Sequence, residues 1–253
     1  MLLKKNLIIL YEDIVTMMQG KEKVGSLRKE IERLIEEGDL KGLLYKAGEL
    51  HGHLCPYLAY GVMAGYIAVR ELKIRSTGME EVIAIVETNN CFCDGIQIVT
   101  GCTFGNSALI FRDLGKTAVT LAKRDGSAIR IALDPDFVES VRERYSEAYK
   151  LWDKIVVKRE KATEEEQRRL MELFAEIAIN ELDQPPEKIF RIKRMKIKVP
   201  EYAPIYASVR CSICGEKVME TKARVKNGKP VCIDCAKGEY YIVDGRGVSM
   251  IRE

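Results

Sequence analysis

Residues 211–235 read CSICGEKVMETKARVKNGKPVCIDC and contain two Cys-x2-Cys pairs separated by 17 residues. This spacing is typical of a zinc ribbon, in which two tight turns each present two thiolates to one tetrahedral ion. Gly215 and the pair Asn227-Gly228 supply the turn residues that such a module needs. A site with four thiolate ligands has no position left for water. We therefore expect a closed structural zinc site formed by Cys211, Cys214, Cys232 and Cys235.

The ribbon is separated from a larger domain by the sequence Gln184-Pro185-Pro186, which is typical of a linker. The alternating residues 190–199 predict a strand after it. Their alternation slips at Lys193 and Arg194, which predicts a bulge. We therefore predict three parts, a larger domain over 1–184, a linker and strand over 185–207 and the ribbon over 208–253.

Hydrophobic periodicity and capping residues predict the elements of the larger domain. Ser26 is a candidate N-cap and Gly38 a candidate stop for the first helix, Asp94 is a candidate N-cap for a helical turn through Ile98, and Thr163 with Glu166 forms a capping box. The predicted helices cover 26–37, 41–49, 56–73, 136–159 and 163–182, and the predicted strands cover 82–88, 108–112, 117–123 and 127–133.

The composition indicates a globular protein, with 47% hydrophobic and 31% charged residues. No apolar run reaches the ~20 residues of a membrane span, and no signal-peptide cleavage site follows the first residues, so we expect a cytoplasmic protein that does not bind membranes. Because that compartment is reducing, we interpret the eight cysteines as metal ligands rather than disulfides. The abundance of Lys, Glu and Arg and the scarcity of amides resemble heat-adapted proteins.

A second candidate site begins with His51-Gly52-His53-Leu54-Cys55-Pro56, which contains both histidines of the chain. The flexible Gly52 allows both imidazoles to approach one point. Cys55 precedes a predicted helix, whose positive end favours a thiolate. The segment 87–105 adds three thiols, Cys91, Cys93 and Cys102, and several small polar residues. Imidazole and thiolate together suit Zn²⁺ or a similar ion, so we expect a second metal whose identity stays open.

The run HGHLCPYLAYGVMAGYIA, together with the later Cys91-x2-Asp94-x2-Gln97-x2-Thr100-Gly101-Cys102 pattern, resembles the FmdE family, which takes its name from a component of formylmethanofuran dehydrogenase. The resemblance runs from about residue 43 to beyond 133. It implies an α+β domain with a mixed sheet covered by helices, a core over about 43–160, and an often dimeric protein. By position it implies metal ligands at His51, His53, Cys55, Cys91 and Cys102, and cofactor-binding residues at Asp94, Gln97 and Thr100.

Three functions follow from these features. The first is a metal-binding subunit or accessory protein of a molybdenum- or tungsten-dependent enzyme of the formylmethanofuran dehydrogenase type, with that enzyme as its partner. The second is an enzyme or sulfur carrier in which Cys55 is the nucleophile and His53 its base. The third is a zinc-ribbon regulator that binds a protein or nucleic acid. This third function draws on five basic side chains of the strand after the linker, Arg191, Lys193, Arg194, Lys196 and Lys198.

Overall fold

A five-stranded sheet organises the larger domain in the computed structural model, which describes residues 27–252. Its strands are β1 (Val82–Val86), β2 (Leu109–Phe111), β3 (Ala118–Lys123), β4 (Ser127–Leu133) and β5 (Phe190–Lys196). They lie in the order β2-β1-β3-β4-β5. β1 and β2 are parallel, and the other neighbouring pairs are antiparallel. The sheet is therefore mixed, as predicted.

Helices pack on one face of this sheet and form the core with it. The central helix packs against β3 and β4, and its buried Leu58 and Val62 join the apolar side chains of the sheet. The fold class is thus the predicted α+β. The helices are α1 (Lys29–Glu37), α2 (Leu40–His51), the central α3 (Pro56–Leu72), α4 (Phe92–Thr100), α5 (Pro135–Arg144), α6 (Ser146–Trp152), α7 (Glu164–Asn180) and α8 (Pro186–Ile189).

Capping residues explain several helix ends. Gly38 ends α1 in the left-handed conformation, as predicted, whereas the predicted N-cap Ser26 lies outside the described residues. The predicted capping box of α7 is confirmed, because Glu166 N donates to Thr163 Oγ1 and Thr163 N donates to the Glu166 carboxylate. The helix predicted over 136–159 divides into α5, α6 and a π-helical turn at Asp153–Val157.

The helices α3 and α4 cross at Gly61 and Gly95, where their backbones nearly touch. A Cβ atom on Gly95 would lie 2.5 Å from the Val62 backbone nitrogen and 2.6 Å from the Leu58 carbonyl oxygen. A Cβ atom on Gly61 would collide with the Phe92 carbonyl oxygen. Glycine is therefore required on both sides of this crossing. The crossing matters for function because it sets the distance between the N-terminal ends of the two helices.

We expect Gly95→Ala to lower the free energy of unfolding by about 1–3 kcal/mol, because the methyl group would force two backbones apart. Urea unfolding followed by circular dichroism measures this change. Gly105→Ala is the matched control, since a Cβ atom at Gly105 would come no closer than 4.0 Å to Thr103 Oγ1. Equal stabilities of the two variants would contradict the crossing as described.

Strand β5 pairs with β4 without interruption, from Ser127 opposite Lys196 to Leu133 opposite Phe190. The predicted bulge at Lys193 and Arg194 is therefore wrong. The slip in the hydrophobic pattern has another cause, since Arg194 shares a sheet face with the apolar residues and forms an ion pair with Glu71 at 2.5 Å. Arg191 is likewise paired, with Asp134 at 2.6 Å. These pairs use two of the five basic side chains that suggested nucleic-acid binding.

Short strands and one helical turn make up the C-terminal module. Its last hairpin contacts the larger domain, because Asn89 Nδ2 donates to the Asp244 carbonyl oxygen at 2.6 Å and Val248 N donates to Asp113 Oδ2 at 2.8 Å. Within residues 27–252, none of the helices has the length and apolar character to span a bilayer. The elements are β6 (Ser208–Arg210), β7 (Lys217–Met219), β8 (Arg224–Lys226), β9 (Lys229–Val231), α9 (Ile233–Ala236), β10 (Tyr240–Asp244) and β11 (Gly247–Ile251).

Candidate metal centres

The four ribbon cysteines converge on one point, with their sulfur atoms all within 4.8 Å of one another. Backbone N–H groups stabilise negative charge there. Cys211 Sγ accepts from Cys232 N at 3.3 Å and from Ile213 N at 3.5 Å, and these bonds lower the Cys211 pKa to about 6. Cys232 Sγ accepts from Cys235 N at 3.4 Å and lies 3.9 Å from Cys214 Sγ. Four thiols in this arrangement fit a tetrahedral zinc ion.

A second group forms where α2 ends and α3 begins. His51 is the last residue of α2, and Gly52 follows in the left-handed conformation with φ +89°, which turns the chain back. Cys55 is the N-cap residue of α3, directly before Pro56. The ligand atoms of His51, His53 and Cys55 consequently lie within 4.8 Å of one another. The two imidazole rings have their centroids 4.4 Å apart.

Cys91 joins this group from the N-terminal end of α4. A hydrogen bond from the Cys55 thiol lowers the Cys91 pKa to about 6, and nearby His51 lowers it further. The same hydrogen bond and burial raise the Cys55 pKa. We expected the helix end to make Cys55 the thiolate. That expectation is wrong, because the direct thiol contact outweighs the backbone N–H groups of α3, and the thiolate belongs to Cys91.

Asp94 orients His51. It lies in the first turn of α4 and is not the predicted N-cap, a position that Cys91 takes. Asp94 Oδ2 is 2.7 Å from His51 Nδ1, and Gln97 Nε2 donates to Asp94 Oδ1 at 3.0 Å. His51 Nε2 lies 3.9 Å from Cys55 Sγ. A carboxylate bound to one imidazole nitrogen, with the other nitrogen directed at a ligand cluster, is typical of metal-binding histidines.

Two predicted site residues lie elsewhere. Thr100 and Cys102 are at the opposite end of α4, about 13 Å along a nine-residue helix from Cys91. Thr100 Oγ1 donates to the Ile96 carbonyl oxygen, and Cys102 is 0% exposed with its thiol 3.6 Å from the Val82 carbonyl oxygen. The structure therefore does not bring Cys102 or Thr100 to the histidines. The uninterrupted helix between the two cysteines is the physical reason.

Cys55 contacts a different histidine from the one we expected as its base. The ring nitrogen beside Cys55 Sγ is Nε2 of His51, which Asp94 orients. Burial, and then the neighbouring His51, lower the pKa of His53. Cys93, the further thiol of this segment, donates to the Thr88 carbonyl oxygen at 2.8 Å. The arrangement thus presents thiolate, thiol and two imidazoles as a set of metal ligands.

A cleft of about 380 Å³ opens beside this group, at the carboxyl ends of the parallel strands β1 and β2. His51, Cys91 and Asp94 form one end of it. The sequence pattern did not indicate the remaining lining residues, because they come from three separate loops and strands. They include Asn89, Asn90, Gln97, Phe104, Leu109 and Phe111.

Comparisons with known proteins match both parts of the chain. Residues 50–191 match the family model described as "FmdE, Molybdenum formylmethanofuran dehydrogenase operon". Residues 204–241 match "Prokaryotic dksA/traR C4-type zinc finger". The predicted resemblance and the predicted C-terminal zinc module are therefore confirmed.

An archaeal relative and a solved structure extend this result. A protein of Archaeoglobus fulgidus named "Probable S-adenosyl-L-methionine-binding protein" is 42% identical over 218 residues, which make up 84% of this chain and 57% of that protein. The chain thus spans little more than half the length of this relative. The crystal structure of an FmdE-like protein of tungsten formylmethanofuran dehydrogenase, from Syntrophus aciditrophicus, is 22% identical, with a TM-score of 0.51, covering 78% of this chain and 91% of that chain. This likeness shows a shared fold.

Proposed function

The chain belongs to the FmdE family, and on that premise we propose that its larger domain binds a transition-metal ion beside the cleft. The ligands in this proposal are His51, His53 and Cys55, with Cys91 as a fourth thiolate donor. The observation that carries it is the convergence of two imidazoles and a thiol within 4.8 Å, with a carboxylate orienting one imidazole. Incidental histidines do not need such a partner.

The chemistry of these donors fits zinc. Neutral imidazole and thiolate are borderline and soft ligands, the combination that Zn²⁺ binds in mixed Cys/His sites. When bound, such an ion supplies a Lewis acid that polarises a ligand oxygen. The chain's own residues supply the rest, since Asp94 keeps the proton on His51 Nδ1 and leaves Nε2 free to bind. Gln97 in turn holds Asp94 in place.

We place this metal-binding domain in a subunit or accessory factor of a molybdenum- or tungsten-dependent enzyme of the formylmethanofuran dehydrogenase type. The family description and the name of the protein with the shared fold support this role. Metal analysis of the purified chain tests the site itself. We expect two metal ions per chain, one in the ribbon and one in the larger domain, and a single ion would contradict the second site.

S-Adenosyl-L-methionine is a second candidate ligand. The name of the archaeal relative motivates it, and the cleft beside His51 and Asp94 lies within the range of about 300–1,000 Å³ that small-molecule sites occupy. Isothermal titration calorimetry of the zinc-loaded chain with this compound decides the question. Saturable binding at one site per chain would support it, and the absence of heat beyond dilution would remove it.

Asp94→Asn tests the orienting role of the carboxylate. We expect the variant to bind the metal of the larger domain about 10–100-fold more weakly, because loss of an outer partner of a metal-binding histidine has effects of this size. Competition with a chromophoric chelator measures the affinity. Asp125→Asn, in the exposed turn between β3 and β4, is the matched control and should bind like the native chain. Equal affinities in both variants would mean that Asp94 does not act through His51.

A further inference from the structure

The cleft beside the metal group has two chemically distinct walls. One wall is apolar and consists of the buried Val86 and Leu109 and the partly buried Phe111, which lie on the parallel strands β1 and β2. The other wall carries the side-chain amides of Asn89, Asn90 and Gln97. A ligand that fills this space needs an apolar surface on one side and polar groups at its edge.

The polar wall is neutral and held in place by the fold. Asn90 Oδ1 accepts from Phe92 N at 3.0 Å, and Asn89 Nδ2 donates to the Asp244 carbonyl oxygen. A side-chain amide presents both donors and an acceptor, so this wall suits a neutral group that has both. The lining residues that the structure describes include neither Lys nor Arg. The cleft therefore lacks the cations that bind phosphate or carboxylate groups.

Phe104 stands at the rim of the cleft with 64% of its surface exposed. Its loop is held by one side chain, since Asn106 Oδ1 accepts from Thr103 N at 2.9 Å and from Ala108 N at 3.2 Å. Asn106 Nδ2 also donates to the Gly101 carbonyl oxygen at 2.7 Å. The exposed ring contributes little to folding, because burial is what makes an aromatic side chain stabilising. A fixed aromatic ring beside a ligand-sized cleft is instead suited to stacking.

We infer that the cleft binds a planar, neutral heteroaromatic ring of purine size, stacked on Phe104 and recognised at its edge by the side-chain amides. Asn106 is a positioning residue in this scheme, because it acts through the loop that carries Phe104. The inference deepens the proposed function, since the metal group forms one end of the same cleft. It does not require any particular metal.

Adenosine is the probe, titrated into the zinc-loaded full-length chain by calorimetry, with ribose as the comparator that lacks the ring. We expect adenosine to bind once per chain and ribose not to bind. Phe104→Ala should weaken adenosine binding about tenfold, the usual effect of removing one stacking ring, whereas Phe104→Tyr should keep most of the affinity. Met171→Ala, which removes an exposed apolar side chain on α7, is the matched control and should bind like the native chain.

Several results would overturn the inference. They are the absence of adenosine binding to the native chain, equal binding of ribose, and unchanged affinity of Phe104→Ala. Metal content measured on the same samples separates this outcome from failure of the proposed function. Two metal ions per chain without adenosine binding would reject the ring site and leave the metal site standing. One metal ion per chain with adenosine binding would reject the metal site alone.

Discussion

Cys211→Ser is expected to release one zinc ion per chain and to unfold the ribbon. The module has almost no core of its own, since Cys211 and Val231 are the buried apolar side chains among its described residues 208–236. Structural zinc contributes an apparent binding free energy of about 10–16 kcal/mol at pH 7, which becomes folding free energy in small modules. Serine removes the thiolate that two backbone N–H groups stabilise. Zinc content by mass spectrometry and amide hydrogen exchange of the ribbon measure both effects.

Ser212→Ala serves as the control for this variant, because it changes the neighbouring residue and leaves all four thiolates. It should keep two metal ions per chain and a protected ribbon. The larger domain should keep its own exchange protection in both variants, since its sheet and core come from residues before the ribbon. Retention of two metal ions in Cys211→Ser would show that the ribbon site differs from the four-cysteine site described above.

Cys55→Ala is expected to abolish metal binding in the larger domain and to leave one ion per chain. The substitution removes a candidate ligand and also the thiol that stabilises the Cys91 thiolate. The loss of affinity should therefore exceed the about 10–100-fold that loss of an outer partner causes. Chelator competition and metal analysis measure the loss, and thermal unfolding shows whether the domain stays folded.

Cys102→Ala is the matched control, because it removes another buried thiol of the same domain. Sequence pattern assigned both cysteines to one site, whereas the structure separates them by the length of α4. The control should keep two metal ions per chain. If Cys102→Ala lost the ion and Cys55→Ala kept it, the assignment of ligands to the N-terminal end of α4 would be wrong.

Local patterns predicted much of this protein. The ribbon followed from the spacing of four cysteines, and the helix α7 from its capping box, because both depend on residues close together in the sequence. The turn at Gly52 likewise predicted that His51, His53 and Cys55 approach one another. The domain boundary after Gln184 stays a prediction.

Features that depend on contacts between distant segments were not predictable in the same way. Asp94 looked like a helix cap, and only the crossing of α3 and α4 at Gly61 and Gly95 shows that it meets His51. Cys102 matched a family motif, but the pattern does not say at which end of α4 a residue lies. The slip at Arg194 looked like a bulge because its partner Glu71 is 123 residues away.

The pairing of β5 with β4 has a consequence for dissecting the protein. Because β5 follows the predicted boundary, a fragment that ends at Gln184 would leave the seven residues of β4 without a neighbour on one side. Open backbone donors and acceptors of this kind recruit other chains, so such a fragment should self-associate in solution. A soluble form of the larger domain would have to continue past Lys196.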